Sequence, residues 1–383
     1  MSDLLGGNET PVAHNGAQGG GGSLRADGIE SSVGVALNAN LLSNITSDGT
    51  KVADAVKAAW ISTLVVQELN VPTMCQMMFS IGERWKTTDS KKFKPGAKIE
   101  IKGDEYTDAL PAPVYVSGMM LEGGASRLML TVTAFDRLSF LRFGAKTQSF
   151  VEMDDQEIFQ KLLSDPQSGL TLVASGLKMD RYPFVLQDNE TRYDFLVRRC
   201  RQANYECMVE GEGEILTVRP CAQGASDTPL SLGYHIDVGE MNLDMRLPTL
   251  GSKVTSYGYD ISTGSVVQGS LSPGTPAEGP SAKPGFDLAG SFGPSPMTLR
   301  RPDLCDMSSL DAVAKAEHEY RQNALIEGEV KLRTVNLKAK AGINVKLQGT
   351  DTDFDGVYYV TKSTHRVDRS GARTTLAVKR SGM

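Results

Sequence analysis

The chain has 383 residues, 40% of them hydrophobic and 22% charged, with a formal net charge of −6 and a pI near 5.4. That is ordinary globular composition with room for several domains. A mildly acidic chain is a poor candidate for nonspecific duplex binding, which needs a basic footprint on phosphates, and no apolar run approaches the roughly 18 residues of a membrane-spanning helix.

Residues 1–40 read as a flexible N-terminal tail, or as an arm that orders on a neighbouring subunit. Gly19 to Gly22 have no side chains to bury and much conformational entropy to lose. The first 23 residues lack the basic, apolar and cleavage regions of a secretory signal, so synthesis in the cytoplasm is expected, with release by lysis or by a machine.

Residues 41–145 read as a first β-barrel domain. An amphipathic stretch, Lys51 to Trp60, precedes a strand from Ile61 to Leu69, and further strands fit Met74–Ser80, Ile99–Lys102, Val114–Leu121 and Leu128–Phe135. Pro95-Gly96 suits a turn that needs positive φ at the glycine. Met74, Met77, Met78, Met119, Met120 and Met129 make methionine-rich strand faces, fit for a core or for a greasy trimer interface.

Residues 146–225 read as a small α/β domain. Asp154 with Glu157 forms a capping box before an apolar helix of Ile158, Leu162 and Leu163, which Pro166 and Gly169 end. Thr191 or Asn189 caps a second helix with Phe195, Leu196 and Cys200 on its apolar face and Arg198, Arg199 and Arg201 on the opposite side. Two strands follow, Tyr205–Val209 and Ile215–Val218, around a Glu210–Gly213 turn.

Residues 226–383 read as a second β-barrel domain. Strands fit Met241–Arg246 and Lys253–Tyr259, a helix fits Ser308–Glu327, and Val357 to Val367 alternates as a half-buried strand. In that strand one of Tyr358 and Tyr359, but not both, is expected to face inward, and the pattern does not settle which. A loop insertion at 269–300, rich in glycine, proline and serine from Gly269 to Pro296, is expected to be mobile and without a core role. The fold class is therefore α+β, mainly β: two barrels, each with a helix, and an α/β domain between them.

These segments resemble a known family in order and detail. The stretch from Gln187 through Asn189, Glu190, Asp194, Phe195, Leu196 and Arg199, the Gly258-Tyr259-Asp260 run, the Asp136-Arg137-Leu138 turn and the closing "FDGVYYVTKSTHRVD" resemble phage late control protein D and the VgrG-like baseplate hub proteins of contractile tails and injection systems. Asn204 stands where that family usually has glycine, and tolerates the same left-handed backbone. The resemblance implies two tube-protein-like barrels and a homotrimeric hub. Three chains with two barrels each place six in a ring, which matches a sixfold inner tube to a threefold spike. It implies as partners the spike protein, the inner tube protein, other baseplate components and a tape measure protein or cargo. It implies neither nucleic-acid specificity nor membrane insertion.

Catalytic motifs are not apparent. The sequence has no Walker loop, GxSxG elbow or HExxH. Asp136 reads as a turn cap, Asp154-Asp155 as a helix start, and Glu210, Glu212 and Glu214 as a solvated hairpin tip, against the rival reading of a peptidoglycan hydrolase. His14, His235, His318 and His365 share no metal spacing; His318 reads as a solvated helix face and His365 as a structural strand residue. The five cysteines, Cys75, Cys200, Cys207, Cys221 and Cys305, read as reduced thiols, with a metal site as the minor alternative. No catalytic, cofactor-binding or metal residue is assigned, and no cofactor. A carbohydrate-binding tail protein is a further rival that exposed aromatic clusters would favour, yet only Trp60 and Trp85 supply tryptophan.

Overall fold

The computed structural model describes residues 44–102, 113–124, 127–225, 228–260, 262–271, 283–302 and 304–383. The tail at 1–40 and loop residues 272–282 lie outside these. The chain is mainly β, with large antiparallel sheets.

The first half holds strands β1 (Asn44–Ser47), β2 (Thr50–Lys51), β3 (Trp60–Glu68), β4 (Val71–Ile81), β5 (Lys98–Lys102), β6 (Val114–Gly123) and β7 (Leu128–Phe135), with short helices α1 (Asp54–Ala59) and α2 (Thr87–Ser90). Period-2 alternation sends Val65, Cys75, Met77, Phe79, Val132 and Ala134 to one inner face, where all are buried. The Phe79 ring meets Phe93 at 5.1 Å and Trp85 at 5.7 Å between centroids. Seven strands stand here among the described residues, against the five or so read from sequence.

The middle of the chain holds β8 (Ala145–Met153), α3 (Asp155–Leu163), β9 (Thr171–Ala174), β10 (Tyr182–Thr191), α4 (Arg192–Ala203), β11 (Tyr205–Glu210) and β12 (Ile215–Pro220). Both expected caps form. Asp154 accepts from the Glu157 amide at 2.8 Å while Glu157 reaches back to the Asp154 amide at 3.2 Å. Thr191 accepts from the Asp194 amide at 3.0 Å, and Asn204 closes α4 at φ 55°. Arg199 departs from expectation: it is 4% exposed, not on a solvated side. Its Nη2 meets Asp155 Oδ1 at 2.5 Å, and the Tyr182 hydroxyl donates to Asp155 Oδ2 at 3.0 Å. A partner 44 residues away turns an arginine inward, which helical periodicity alone cannot show.

The last part holds β13 (Leu230–Gly233), β14 (Val238–Met245), β15 (Lys253–Asp260), β16 (Ser265–Leu271), α5 (Gly285–Leu288), β17 (Pro296–Arg300), α6 (Met307–Gln322), β18 (Ile326–Leu332), β19 (Asn344–Gln348), β20 (Gly356–Asp368) and β21 (Gly371–Arg380). Strands β13, β14 and β18–β21 surround a core of Leu232, Val330, Val345, Tyr358, Val360 and Leu376. Lys253–Tyr259 does not join them. It is the centre of a separate sheet, β16-β15-β17, on which α6 lies. Two glycines allow that approach: a Cβ on Gly258 would sit 2.1 Å from the Leu304 carbonyl oxygen, and one on Gly269 2.6 Å from the Asp311 amide.

The predicted loop and helix are corrected together. Residues 269–271 of the expected loop belong to β16 (Ser265–Leu271), and 283–300 carry α5 and β17. Phe286 is buried and stacks on His318, ring centroids 5.0 Å apart. His318 is thus 2% exposed rather than solvated, bonded to the Gly251 carbonyl at 2.7 Å and to Gln322 at 3.0 Å. The helix stops at Gln322, and Glu327 belongs to β18.

One strand ties the halves together. β20 pairs β21 on one side; on the other it pairs β19 over Gly356–Tyr359 and β3 over Lys362–Asp368. The two halves therefore share one sheet of thirteen strands. Tyr358 and Tyr359 point to opposite faces, as adjacent strand residues must, yet both are fully buried. Tyr358 enters the barrel core and donates to the Phe354 carbonyl at 2.7 Å. Tyr359 is covered by the middle domain and donates to Glu206. One tyrosine, Tyr358, faces into the barrel as expected; the other is buried too because its face is roofed by another part of the chain. Tyr358→Ala and Tyr359→Ala are each expected to cost about 3–5 kcal/mol, the range for deleting a buried aromatic. Urea unfolding of the two variants checks this: a loss under 1 kcal/mol at Tyr359 would remove the middle domain from that face.

Candidate functional site: the seam and open edges of the main sheet

The seam is a built polar site. Glu206 on β11 receives the Tyr359 hydroxyl and Arg219 Nε, the latter at 2.8 Å, and Arg219 Nη2 continues to the Gly342 carbonyl at 2.7 Å. Burial raises the proton affinity of Glu206, which the tyrosine and arginine oppose. Gly342 has φ 84°, and a Cβ there would lie 2.8 Å from Met208 Cε. Nearby, the β3–β4 turn residue Asn70 copies a strand pairing. Its amide donates to the Cys207 carbonyl at 3.0 Å, and its Oδ1 accepts from the Cys207 amide at 2.8 Å.

A second polar chain crosses the β3–β20–β21 junction. Ser363 Oγ donates to the Ala339 carbonyl at 2.6 Å, so it accepts from His365 Nε2 at 3.0 Å. His365 Nδ1 then accepts from Thr374 Oγ1 at 2.9 Å, and Thr374 accepts from the Asn336 amide at 2.9 Å. The chain holds residues 336–339 against the sheet while Val335 and Leu337 enter the core of the first half. His365 is 1% exposed, and burial depresses its pKa to about 4. Asp136, the expected cap, accepts from the Leu138 amide at 3.0 Å and the Thr73 amide at 2.8 Å. Burial outweighs those bonds and lifts its pKa to about 6.

Among the described residues the main sheet leaves two stretches of strand edge open, one on β6 beyond its short pairing with β5-β1-β2 and one on β14. β6 pairs β5 only at Val114 and Tyr115; from Ser117 to Gly123 its outer edge meets no described strand. Met119, Met120 and Leu121 on that edge are 42%, 51% and 60% exposed. At the far end β14 pairs β18 alone, apart from a single bridge at Val238. The sequence flagged Met119 and Met120; Met77 went to the core instead.

The other candidates scatter. Glu210 accepts from Thr217, and Glu214 lies 3.9 Å from Arg137. His235 lies against Tyr234 with the rings tilted at 46°, and His14 lies outside the described residues. Cys75, Cys200 and Cys207 are buried, Cys221 and Cys305 partly so, and all five stand unpaired. Among the described residues, no three His, Cys, Asp or Glu side chains converge as metal ligands, and no helix is long and apolar enough to cross a membrane.

The model of the Alg8 N-terminal domain family matches residues 38–369. The chain belongs to that family. No curated protein matches it. Among solved structures it is similar to the 43 kDa tail protein of prophage MuSo2 from Shewanella oneidensis, with a TM-score of 0.63 and 12% identity over 84% of this chain and 94% of that one. The tail protein of Neisseria meningitidis MC58 gives a TM-score of 0.63 at 13% identity, over 84% and 92%. The E. coli c3393 protein, a type VI secretion component with structural similarity to the T4 tail proteins gp27 and gp5, gives 0.60 at 13%, over 88% and 76%. The chain thus has the fold of phage tail and secretion-machine proteins, in line with the family resemblance read from its motifs.

The two perturbed groups give opposing pH slopes. His365 binds its proton less tightly folded than unfolded, so its stabilisation is lost as pH falls from about 6.5 toward 4. Asp136 binds its proton more tightly folded, so stability is lost as pH rises from about 4 to 6. Near pH 5 the two offset. Asp136→Asn is expected to expose the histidine slope and His365→Gln the carboxyl slope, each up to about 1.4 kcal/mol per pH unit. Urea midpoints between pH 4 and 7 check it; parallel profiles for both variants would disprove it.

Proposed function

We propose that this chain is the structural hub of a contractile tail or contractile injection system, a homotrimer that joins the sixfold inner tube to the threefold spike. One observation supports it most. The main sheet runs β14-β18-β21-β20-β3-β4-β7-β6 and on through β5-β1-β2; its first eight strands form two blocks of four joined at the β20–β3 seam, and they lie between the β14 edge and the stretch of β6 that runs past β5. Free edges recruit further strands. Three copies set β6 against β14 of the next make a closed ring of twenty-four strands in six blocks. Such a ring offers sixfold spacing on one side and true threefold symmetry on the other.

On this reading the first barrel spans 41–145, the α/β domain 146–225 and the second barrel 226–383, with the small β16-β15-β17 sheet as an addition to the latter. The spike protein, the inner tube protein, other baseplate components and a tape measure protein or cargo are its partners. The role is structural rather than enzymatic, and the protein works within the assembled particle.

Light scattering of the purified chain, or symmetry determination in particles, is expected to give three times 41.2 kDa. Met120→Asp with Leu121→Asp, at exposed positions of the β6 edge, is expected to leave folding intact and yield monomers. A sixfold ring of the wild-type chain refutes the hub reading; trimers that survive the double substitution refute the edge closure.

A further inference from the structure

The β16-β15-β17 sheet has one covered and one bare face. Val254, Ser256 and Gly258 point to α6: Val254 is buried, Ser256 Oγ donates to the Leu310 carbonyl at 2.6 Å, and Gly258 lies against Leu304. Alternation therefore puts Tyr257 and Tyr259 on the opposite face, where they are 37% and 43% exposed. They stand two residues apart on the central strand, about 7 Å along it. Neither phenol bonds to another described residue. Register places Gln268 beside Tyr257 on one side and Arg300 on the other. Lys253 ends the same row of β15 residues.

The charge of this face is unlike that of the chain. The whole chain is acidic at −6. Outward positions of the three strands carry Lys253 and Arg300 and no carboxylate; Asp260 has the inward parity and is bonded to Ser262 and Thr263. Both cations are exposed, and neither forms an ion pair with another described residue. Half-exposed tyrosine rings offer apolar faces to the C–H surface of a sugar, with the hydroxyl left to bond. The amide of Gln268 and the guanidinium of Arg300 serve ring hydroxyls and a carboxylate in the same row.

We propose that this face binds an anionic polysaccharide, with Tyr257 and Tyr259 stacking on successive sugars and Arg300 and Lys253 meeting its carboxylates. Single-stranded nucleic acid is the less favoured occupant. It brings a phosphate with every base, and two cations in an acidic chain are too few to track them. The inference is independent of the hub reading, because the face lies outside the open edges of the main sheet.

Full-length protein is tested by biolayer interferometry on immobilised hyaluronan and polygalacturonate, with dextran as neutral glycan and oligo(dT) as a sugar-phosphate polyanion. Binding is expected to the two carboxylated polymers, and not to dextran or oligo(dT). Tyr257→Ala with Tyr259→Ala is expected to weaken it by about tenfold or more, and Arg300→Ala to weaken it and flatten its salt dependence. Unchanged melting temperatures confirm that these surface variants fold. Absence of binding to both acidic polymers, equal binding to oligo(dT) or dextran, or binding indifferent to the substitutions overturns the proposal.

Discussion

Everything else in this molecule depends on the division of β20 between two partners. A strand has two hydrogen-bonding edges, and β20 spends one on β21 along its length. The other is split: its first residues pair β19, inside the second half, and its last seven pair β3, inside the first. Without the second pairing the chain would be two small barrels on a tether. With it, they become one sheet, and relative motion of the halves requires breaking a ladder rather than bending a linker. The connection 333–343 reinforces this by placing Val335 and Leu337 in the other half's core.

The seam is stiffened by buried polar groups rather than by apolar packing alone. Serine, histidine and threonine in a dry junction cost free energy unless each donor finds an acceptor. Here the direction of every bond follows from the first, because the Ser363 proton is committed to Ala339. The same logic holds at Glu206, where a buried carboxylate is tolerable only with Tyr359 and Arg219 present. Such networks position parts uniquely, since an apolar interface tolerates sliding and a directed chain of bonds does not.

Two open stretches of edge make the opposite choice. β6 and β14 leave edges open, and the β6 edge displays methionine and leucine where an isolated soluble sheet would carry charge or proline. An apolar open edge is fit to receive a neighbouring strand. The contrast between a closed interior seam and open edges is what motivates the proposal that the chain is one unit of a ring. The small sheet with Tyr257 and Tyr259 stands apart from both, which lets a surface role coexist with an assembly role.

Local signals in the sequence settled the local structure. The Asp154–Glu157 box, the Thr191 cap, the Asn204 C-terminus and the strand β7 stand where residue type and spacing put them, because caps and period-2 alternation depend on neighbours within a few residues. Motif order also carried the family resemblance. What sequence could not decide were the features set by distant partners. Arg199 turns inward for Asp155, His318 is roofed by Phe286 from a stretch that looked unfit for a core, and Tyr359 is buried by Glu206, a residue 153 positions away. The strand Lys253–Asp260 was legible, but not the sheet it joins, since edge pairing is chosen by three-dimensional competition among strands of similar pattern. Periodicity tells which residues alternate; only the tertiary structure tells how many of a strand's faces and edges are covered, because that depends on what else the chain brings to them.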